Sequence, residues 1–293
     1  MTILEKEVLD CLKNNLTISE IKNKLNINNT SLLKVLHSLE NKGYSSIKEY
    51  YASGKVKLKL AKAENKNKFE IKDIPNNFKL GVFSDSHYGS NFEREDYIDK
   101  AMDYFDKINI SYVIHGGDFV EGITNNSSFK NIDNEVKYAL KRYPKKENMT
   151  TFLTLGDHDY LPFQKDGYNI ENIIESKRLD ITPIGVKKGK INLGNDSIGV
   201  IHKSVKKNKS IFEDKITLIG HGHRSGCEKL GNHLNIYIPP ISDIIIGSFA
   251  PGFIVLFLDF NNNKKIQTVC VRRMVIENQP LIATEDTYQF VKK

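Results

Sequence analysis

Apolar residues recur with a helical period through residues 3–39 and with a strand-like period through most of the remainder. Ile3, Leu4, Val8, Leu9, Cys11 and Leu12 fall near one face of a helix over 3–14. Thr17-Ile18-Ser19-Glu20 pairs a capping hydroxyl with a carboxylate three residues on, and opens a short helix ending near Leu25-Asn26. A second capping cluster, Asn28-Asn29-Thr30-Ser31, precedes a longer helix striped by Leu32, Leu33, Val35, Leu36 and Leu39 and stopped by Gly43. Two strands, 44–51 and 55–60, follow around the turn Ala52-Ser53-Gly54.

Residues 61–77 are polar and contain the first proline, Pro75, so they read as a linker with a short strand at 69–71. From Phe78 strands and helices alternate. Strands are predicted at 79–83, 112–114 and 151–155, with helices over 94–108 and 132–141 between them. Beyond Ile181 the pattern becomes mostly strands, near 183–186, 189–193, 197–202, 216–219, 234–238, 253–259 and 266–272. The βαβα start predicts an α/β (or α+β) layered sheet with flanking helices, whose sites gather beyond the carboxyl ends of the strands.

Five short motifs stand at such strand ends: Asp85-Ser86-His87, Gly117-Asp118, Gly156-Asp157-His158-Asp159, His202 and Gly220-His221-Gly222-His223. Carboxylates and imidazoles in this number are the donor inventory for two divalent cations. The ordered set resembles the calcineurin-like metallophosphoesterase superfamily over about residues 78–275. That resemblance implies a four-layer α-β-β-α sandwich with two metals at its edge. It implies that Asp85, His87 and His223 hold the first metal, that Asp118 bridges both, and that Asp157, His202 and His221 hold the second. Paired metals clamp the attacking and leaving oxygens of a phosphoryl transfer. Manganese is expected ahead of iron, zinc or nickel. The resemblance also makes His158 the residue that faces substrate, with Asp159 expected to orient it and raise its pKa.

Two residues depart from the family pattern. Asp157 stands where a neutral Asn is usual, which adds negative charge around the second metal and predicts tighter retention with weaker Lewis acidity. Lys203 follows His202 where glycine is usual. Among other histidines, His115 reads as packed at a strand end and His233 as a surface residue in a turn. Glu121, three residues after Asp118, reads as a partner that orients a ligand.

The net charge of +7 is uneven: residues 1–72 hold 14 Lys or Arg against 8 Asp or Glu, and the rest 29 against 28. The basic segment, with its helix–turn–helix and hairpin, resembles a winged helix-turn-helix. That resemblance offers Asn29, Thr30 and Lys34 to a groove and Lys55, Lys57 and Lys59, on one strand face, to phosphates. No arginine occurs in residues 1–72, so mainly non-specific, salt-sensitive binding is expected. Arg224, beside His223, and the lysines from Lys203 to Lys209 add positive charge near the metal motifs.

The domains read as 1–62 winged helix, 63–77 linker, 78–275 phosphoesterase and 276–293 tail. The chain resembles the DNA-repair nucleases of its superfamily, so a metal-dependent nuclease or phosphodiesterase acting on nucleic acid, DNA ahead of RNA, is the leading reading. A phosphatase or small-nucleotide phosphodiesterase is the alternative, and a DNA-binding regulator with a vestigial site the second. Three cysteines without metal-like spacing, no long apolar run and an acidic start read as a cytoplasmic protein without a membrane span. A homo-oligomer is compatible with this reading.

Overall fold

Two mixed sheets packed face to face form the centre of the molecule. A computed structural model describes residues 1–61, 69–203, 214–243, 250–276 and 280–290. The first sheet has the order β15-β14-β13-β4-β5-β6-β7. Its strands are β4 (Asn77–Phe83), β5 (Tyr112–His115), β6 (Thr150–Leu155), β7 (Ile181–Val186), β13 (Gly252–Phe260), β14 (Ile266–Ile276) and β15 (Pro280–Gln289). The second has the order β11-β12-β10-β9-β8-β3-β1-β2. It is built from β1 (Ser45–Tyr51), β2 (Val56–Ala61), β3 (Glu70–Lys72), β8 (Lys188–Leu193), β9 (Asp196–His202), β10 (Ile216–Gly220), β11 (Gly226–Leu230) and β12 (His233–Tyr237).

Strands β4, β5 and β6 run parallel and are covered on both faces, which is why they read as nearly continuous apolar runs. Leu80, Val82 and Ile114 point into the core between the sheets, against Ile198, Val200 and Leu218 of β9 and β10. Phe83, Val113 and Leu153 point the other way, onto α4 (Glu95–Lys107), α5 (Ile132–Arg142) and α7 (Ile170–Lys177). Helix α6 (Asp157–Asp166) starts directly after β6. The expected fourth, helical layer is not found over the described β1–β3 and β8 end of the second sheet. There the outward face carries charge: Glu49 pairs with Lys72 at 2.7 Å and Lys59 at 3.7 Å, and Lys190 with Asp214 at 2.8 Å.

Helices α1 (Ile3–Lys13), α2 (Ile18–Leu25) and α3 (Asn29–Asn41) enclose a small core of their own. Thr2–Glu5 and Thr17–Glu20 form reciprocal capping boxes, and Asn28 accepts from the Ser31 N–H at 2.9 Å. Leu58 of β2 and Leu179 of the body close that core. The segment read as a linker includes a true strand: β3 pairs in parallel with β1 on one side and β8 on the other. The basic hairpin is thereby built into the second sheet. Its turn is docked as well. Gly54 is buried at φ +81°, and a Cβ there would lie 2.7 Å from the Asn148 carbonyl oxygen and 2.8 Å from Ser111 Oγ. Tyr112 donates its hydroxyl to the Tyr51 carbonyl at 2.6 Å.

Lys48, on the other strand of the hairpin, turns inward. Its ammonium donates to the Leu179 carbonyl at 3.0 Å and Thr182 Oγ1 at 3.3 Å, and burial pulls its pKa down to about 8. The tail forms β15, antiparallel to β14 at the sheet edge, with Leu281 and Ile282 exposed. Among the described residues no helix is long and apolar enough to cross a membrane.

Candidate metal centre

The five motifs leave the carboxyl ends of β4, β5, β6, β9 and β10, three from one sheet and two from the other, all at one edge of the sandwich. Turning each chain end inward requires unusual backbone. Asp85, His87, Asp118, His221 and His223 all have φ between 45° and 71°, a region L-residues other than Asn and Asp rarely adopt. Such a concentration of left-handed residues at one place is typical of a site whose geometry the surrounding fold enforces. Glycine supplies the space. A Cβ on Gly117 would come within 2.2 Å of the His202 ring, and one on Gly220 within 2.5 Å of Ser84 Oγ.

Two groups of donors result. Asp118, Asp157, His202 and His221 converge in one, and Asp85, His87 and His223 in the other, with ligand atoms inside each group within 4.8 Å of one another. Asp118 touches both: its Oδ2 lies 2.9 Å from His202 Nε2 and 3.7 Å from His87 Nε2. Asp157 Oδ1 is 2.9 Å from His221 Nδ1 and 3.3 Å from His202 Nε2, and His223 Nε2 is 3.3 Å from Asp85 Oδ1.

These groups suit cations. Asp85 Oδ1, His87 Nε2, Asp157 Oδ1 and His202 Nε2 are buried atoms with no hydrogen-bond partner. A buried polar atom left without a partner costs about 1–3 kcal/mol, so several facing one another call for something to sit between them. Electrostatics agree. Burial pushes the Asp85 pKa up, but the facing His223 ring and the charges of His202 and His87 bring it well below the usual carboxylate range. The facing His202 and His221 rings lower Asp157 despite its partial burial. Burial lowers the His202 pKa, yet the facing Asp118 and Asp157 carboxylates raise it well above normal. The carboxylates attract positive charge, as a proton or as a metal ion.

Neighbouring groups fix the donors. His87 Nδ1 meets Glu121 Oε2 at 2.9 Å, and the second Glu121 oxygen accepts from the Thr124 hydroxyl. His202 Nδ1 donates to the Gly116 carbonyl at 2.8 Å, which leaves Nε2 as the lone-pair nitrogen. His115 is fully buried: its Nδ1 accepts from Gly117 N at 3.2 Å, so Nε2 carries the proton toward Ser86 Oγ at 2.9 Å. Burial drops its pKa to about 3, so it is a neutral strut under the Gly117-Asp118 turn.

His158 is half-buried at the rim. Its backbone N–H donates to Asp118 Oδ1 at 3.0 Å and its Nδ1 to the Glu121 carbonyl at 2.7 Å. Burial lowers its pKa, but the Asp118 charge and the Glu121 hydrogen bond raise it overall. The expected orienting role of Asp159 is not what the structure contains. The Asp159 carboxylate is buried and accepts from Gly156 N at 2.8 Å, Val120 N at 2.9 Å and Phe119 N at 3.1 Å. Residues adjacent in a helix point away from each other, so Asp159 cannot reach the His158 ring. It ties the start of α6 to the Asp118 turn, with its pKa pushed up to about 6 by burial and the Asp118 charge.

The model of the family described as calcineurin-like phosphoesterase matches residues 78–243, more than half of the chain. The chain belongs to this family. No curated protein matches it. Among solved structures, the phosphoesterase is similar to a predicted phosphoesterase from Streptococcus pneumoniae, at 14% identity over 74% of this chain and 99% of that one, with a TM-score of 0.44. It is also similar to an archaeal phosphodiesterase, at 18% identity over 68% and 100% of the two chains, TM-score 0.44. A phosphoesterase from E. coli is similar at 14% identity over 64% and 96%, TM-score 0.43.

The residues singled out for nucleic acid lie in two places on the phosphoesterase. Lys203 and Arg224 are exposed, each next to a donor histidine. Lys206, Lys207 and Lys209 lie outside the described residues. Thr30, Lys34, Lys55 and Lys59 are exposed on the N-terminal module, while Asn29 and Lys57 are half-buried, the Lys57 ammonium lying 5.1 Å from the Tyr51 ring. Asn29 and Thr30 share a groove of about 460 Å³ with Lys145, ahead of β6, and the hairpin turn meets Ser111 and Asn148, ahead of β5 and β6. The module therefore sits at the amino ends of these strands, and the donor groups sit at the carboxyl ends. Strand β6 has six residues, which separates the two by roughly 20 Å. His233, read as a surface residue, is buried between β10 and β11, held by the Asp214 carbonyl and by Asn235 at 2.8 Å. Cys227 packs against the core between the sheets and is no ligand.

Proposed function

We propose that this phosphoesterase is a dinuclear-metal-dependent phosphodiesterase acting on nucleic acid. The carrying observation is the meeting of two Asp and His donor groups around Asp118, with His158 beside them. In this reading Asp85, His87 and His223 hold one ion, Asp157, His202 and His221 the other, and Asp118 both. Two divalent ions there, manganese before iron, zinc or nickel, would polarise the phosphoryl oxygens and lower the pKa of water. His158 keeps its Nδ1 proton on the Glu121 carbonyl, which leaves Nε2 for substrate. That nitrogen is placed to pass a proton to the leaving oxygen. Glu121 holds His87, and Asp159 keeps α6 and the Asp118 turn in register.

Exposed Arg224 and Lys203 support a polyanionic substrate at the rim. The N-terminal module, read as a winged helix, would add backbone contacts through Asn29, Thr30, Lys34, Lys55, Lys57 and Lys59, and only a substrate long enough to cross the molecule would meet both. The docked hairpin turn favours a second reading, in which the module is a structural extension and the substrate a small phosphate ester. Cleavage of end-labelled single- and double-stranded DNA and RNA with added Mn²⁺ tests the choice, with His158→Ala as control. Cleavage lost in that variant supports the nuclease. Hydrolysis of small esters alone supports the second reading. Deleting residues 1–72 is an unsuitable control, because it would strip three strands from the sheet and leave β8, with its buried Ile191 and Leu193, without its neighbour β3. Lys55→Gln with Lys59→Gln changes charge without touching the core.

The extra carboxylate at Asp157 makes a separate prediction. Asp157→Asn is expected to weaken retention of one of the two ions by about 10-fold or more, and to raise turnover at saturating metal. Metal titration and rates at saturating Mn²⁺ measure both. No change in either would mean that Asp157 contributes no charge to the centre.

A further inference from the structure

Beside the donor groups, α6 carries two aromatic residues that the mechanism does not use. Tyr160 lies three residues after Asp157 and Phe163 three residues after Tyr160, so each stands about 4.5 Å further along the helix axis. Their rings stack on each other, with centroids 5.5 Å apart and planes 26° apart. Tyr160 is half-buried, and Phe163 is 44% exposed, one of the few large apolar side chains open to solvent among the described residues. The pair is anchored on the Tyr160 side and open on the Phe163 side.

Lys187 completes the group. Its ammonium lies 5.6 Å from the centre of the Tyr160 ring. Its backbone is left-handed at φ 59°, with its N–H on the Leu155 carbonyl at 2.7 Å and its carbonyl accepting from His202 N at 3.0 Å. Lys187 thus bridges the strand ends that carry Asp157 and His202. A non-glycine residue held in that conformation fixes where its side chain leaves the backbone. The result is a cation and an aromatic face beside the Asp157, His202 and His221 donors. This pairing is how proteins grip single strands, with a base on the ring and a phosphate on the cation.

We propose that Tyr160, Phe163 and Lys187 form a nucleobase subsite, in which the open face of Phe163 stacks on a base of single-stranded nucleic acid and Lys187 meets the adjoining phosphate. The subsite rests on the phosphodiesterase reading and narrows it to substrates with an unstacked base, since a paired base in a duplex offers no free face.

The chain contains no tryptophan, so Phe163→Trp installs a single reporter at the ledge. In the full-length protein its fluorescence should be quenched saturably by oligothymidylate. An abasic strand of equal length and charge should bind about tenfold more weakly, in line with stacking worth roughly 1–3 kcal/mol per base. A blunt duplex should quench little. In the wild-type chain the preference for base-bearing over abasic strand should likewise be about tenfold in kcat/KM, and Phe163→Ala should bring it close to one. Equal affinity for the base-bearing and abasic strands overturns the subsite. If base-selective quenching occurs in a chain that hydrolyses no diester, the subsite stands and the phosphodiesterase reading fails. If diesters are cleaved without base preference, the reading stands and the subsite fails.

Discussion

Asp118→Asn is expected to lower phosphoester hydrolysis by roughly 10³-fold, beyond the 10–100-fold cost of losing a group that only orients a ligand. The substitution also should reduce bound metal below two ions per chain. Asp118 faces both donor groups, its Oδ2 lying 2.9 Å from His202 Nε2 and 3.7 Å from His87 Nε2. Its other oxygen accepts the His158 backbone N–H, a contact that an asparagine oxygen can keep. The amide is isosteric, so the fold should survive while the charge is lost. Two buried imidazoles would then face an amide that cannot balance a cation. Elemental analysis of the dialysed protein and initial rates at saturating Mn²⁺ give the two readouts. Two ions retained at an undiminished rate would remove Asp118 from the bridging position.

Gly156→Ala should be nearly as damaging, although it adds only a methyl group to a residue that is not itself a ligand. Gly156 has φ −82° and ψ −167°, a conformation alanine adopts without strain, so backbone freedom is not what the position needs. It needs space. A Cβ there would lie 2.1 Å from Asp118 Oδ1, 2.5 Å from Asp118 N and 2.8 Å from His202 Cδ2. None of these atoms can yield without moving a donor. Overpacking of this kind costs about 1–3 kcal/mol of stability, and displacing the donors should lower turnover by roughly 10²-fold. Gly167→Ala is the matching control at the far end of the same helix. That position has φ +68° but nothing within 4 Å, so it should lose up to about 1 kcal/mol and no activity. Thermal melts and rates on the two variants compare them. Equal behaviour would mean that close packing at Gly156 does not hold the site together.

The sequence alone determined the chemistry of the centre and the order of the elements that carry it. Asp and His in strand-end motifs are readable because a parallel strand delivers its carboxyl end to the same edge as its neighbours, wherever it falls in the chain. The capping box at Thr17 and the apolar runs of β4 to β6 were legible for a similar reason, since local bonds and two-sided burial dictate them. Helices α6 and α7 were not seen, because they are short and polar, and α6 contains Pro162. Strand β15 was missed because it is an exposed edge strand with no apolar alternation, secured by its pairing with β14.

Tertiary structure alone decided which partner each side chain met. Asp159 was matched to its neighbour His158 and instead serves three backbone amides, two of them some 40 residues away in the chain. The hairpin was read as a free basic wing; β3 and the fit of Gly54 against Ser111 and Asn148 made it part of the body. Lys187 and the Tyr160–Phe163 stack carry no motif, and only the meeting of a turn after β7 with the first turns of α6 sets them side by side. Residue type and local periodicity state what a side chain can do. Contacts between segments distant in the chain depend on how the two sheets close on each other, and those contacts assign the work.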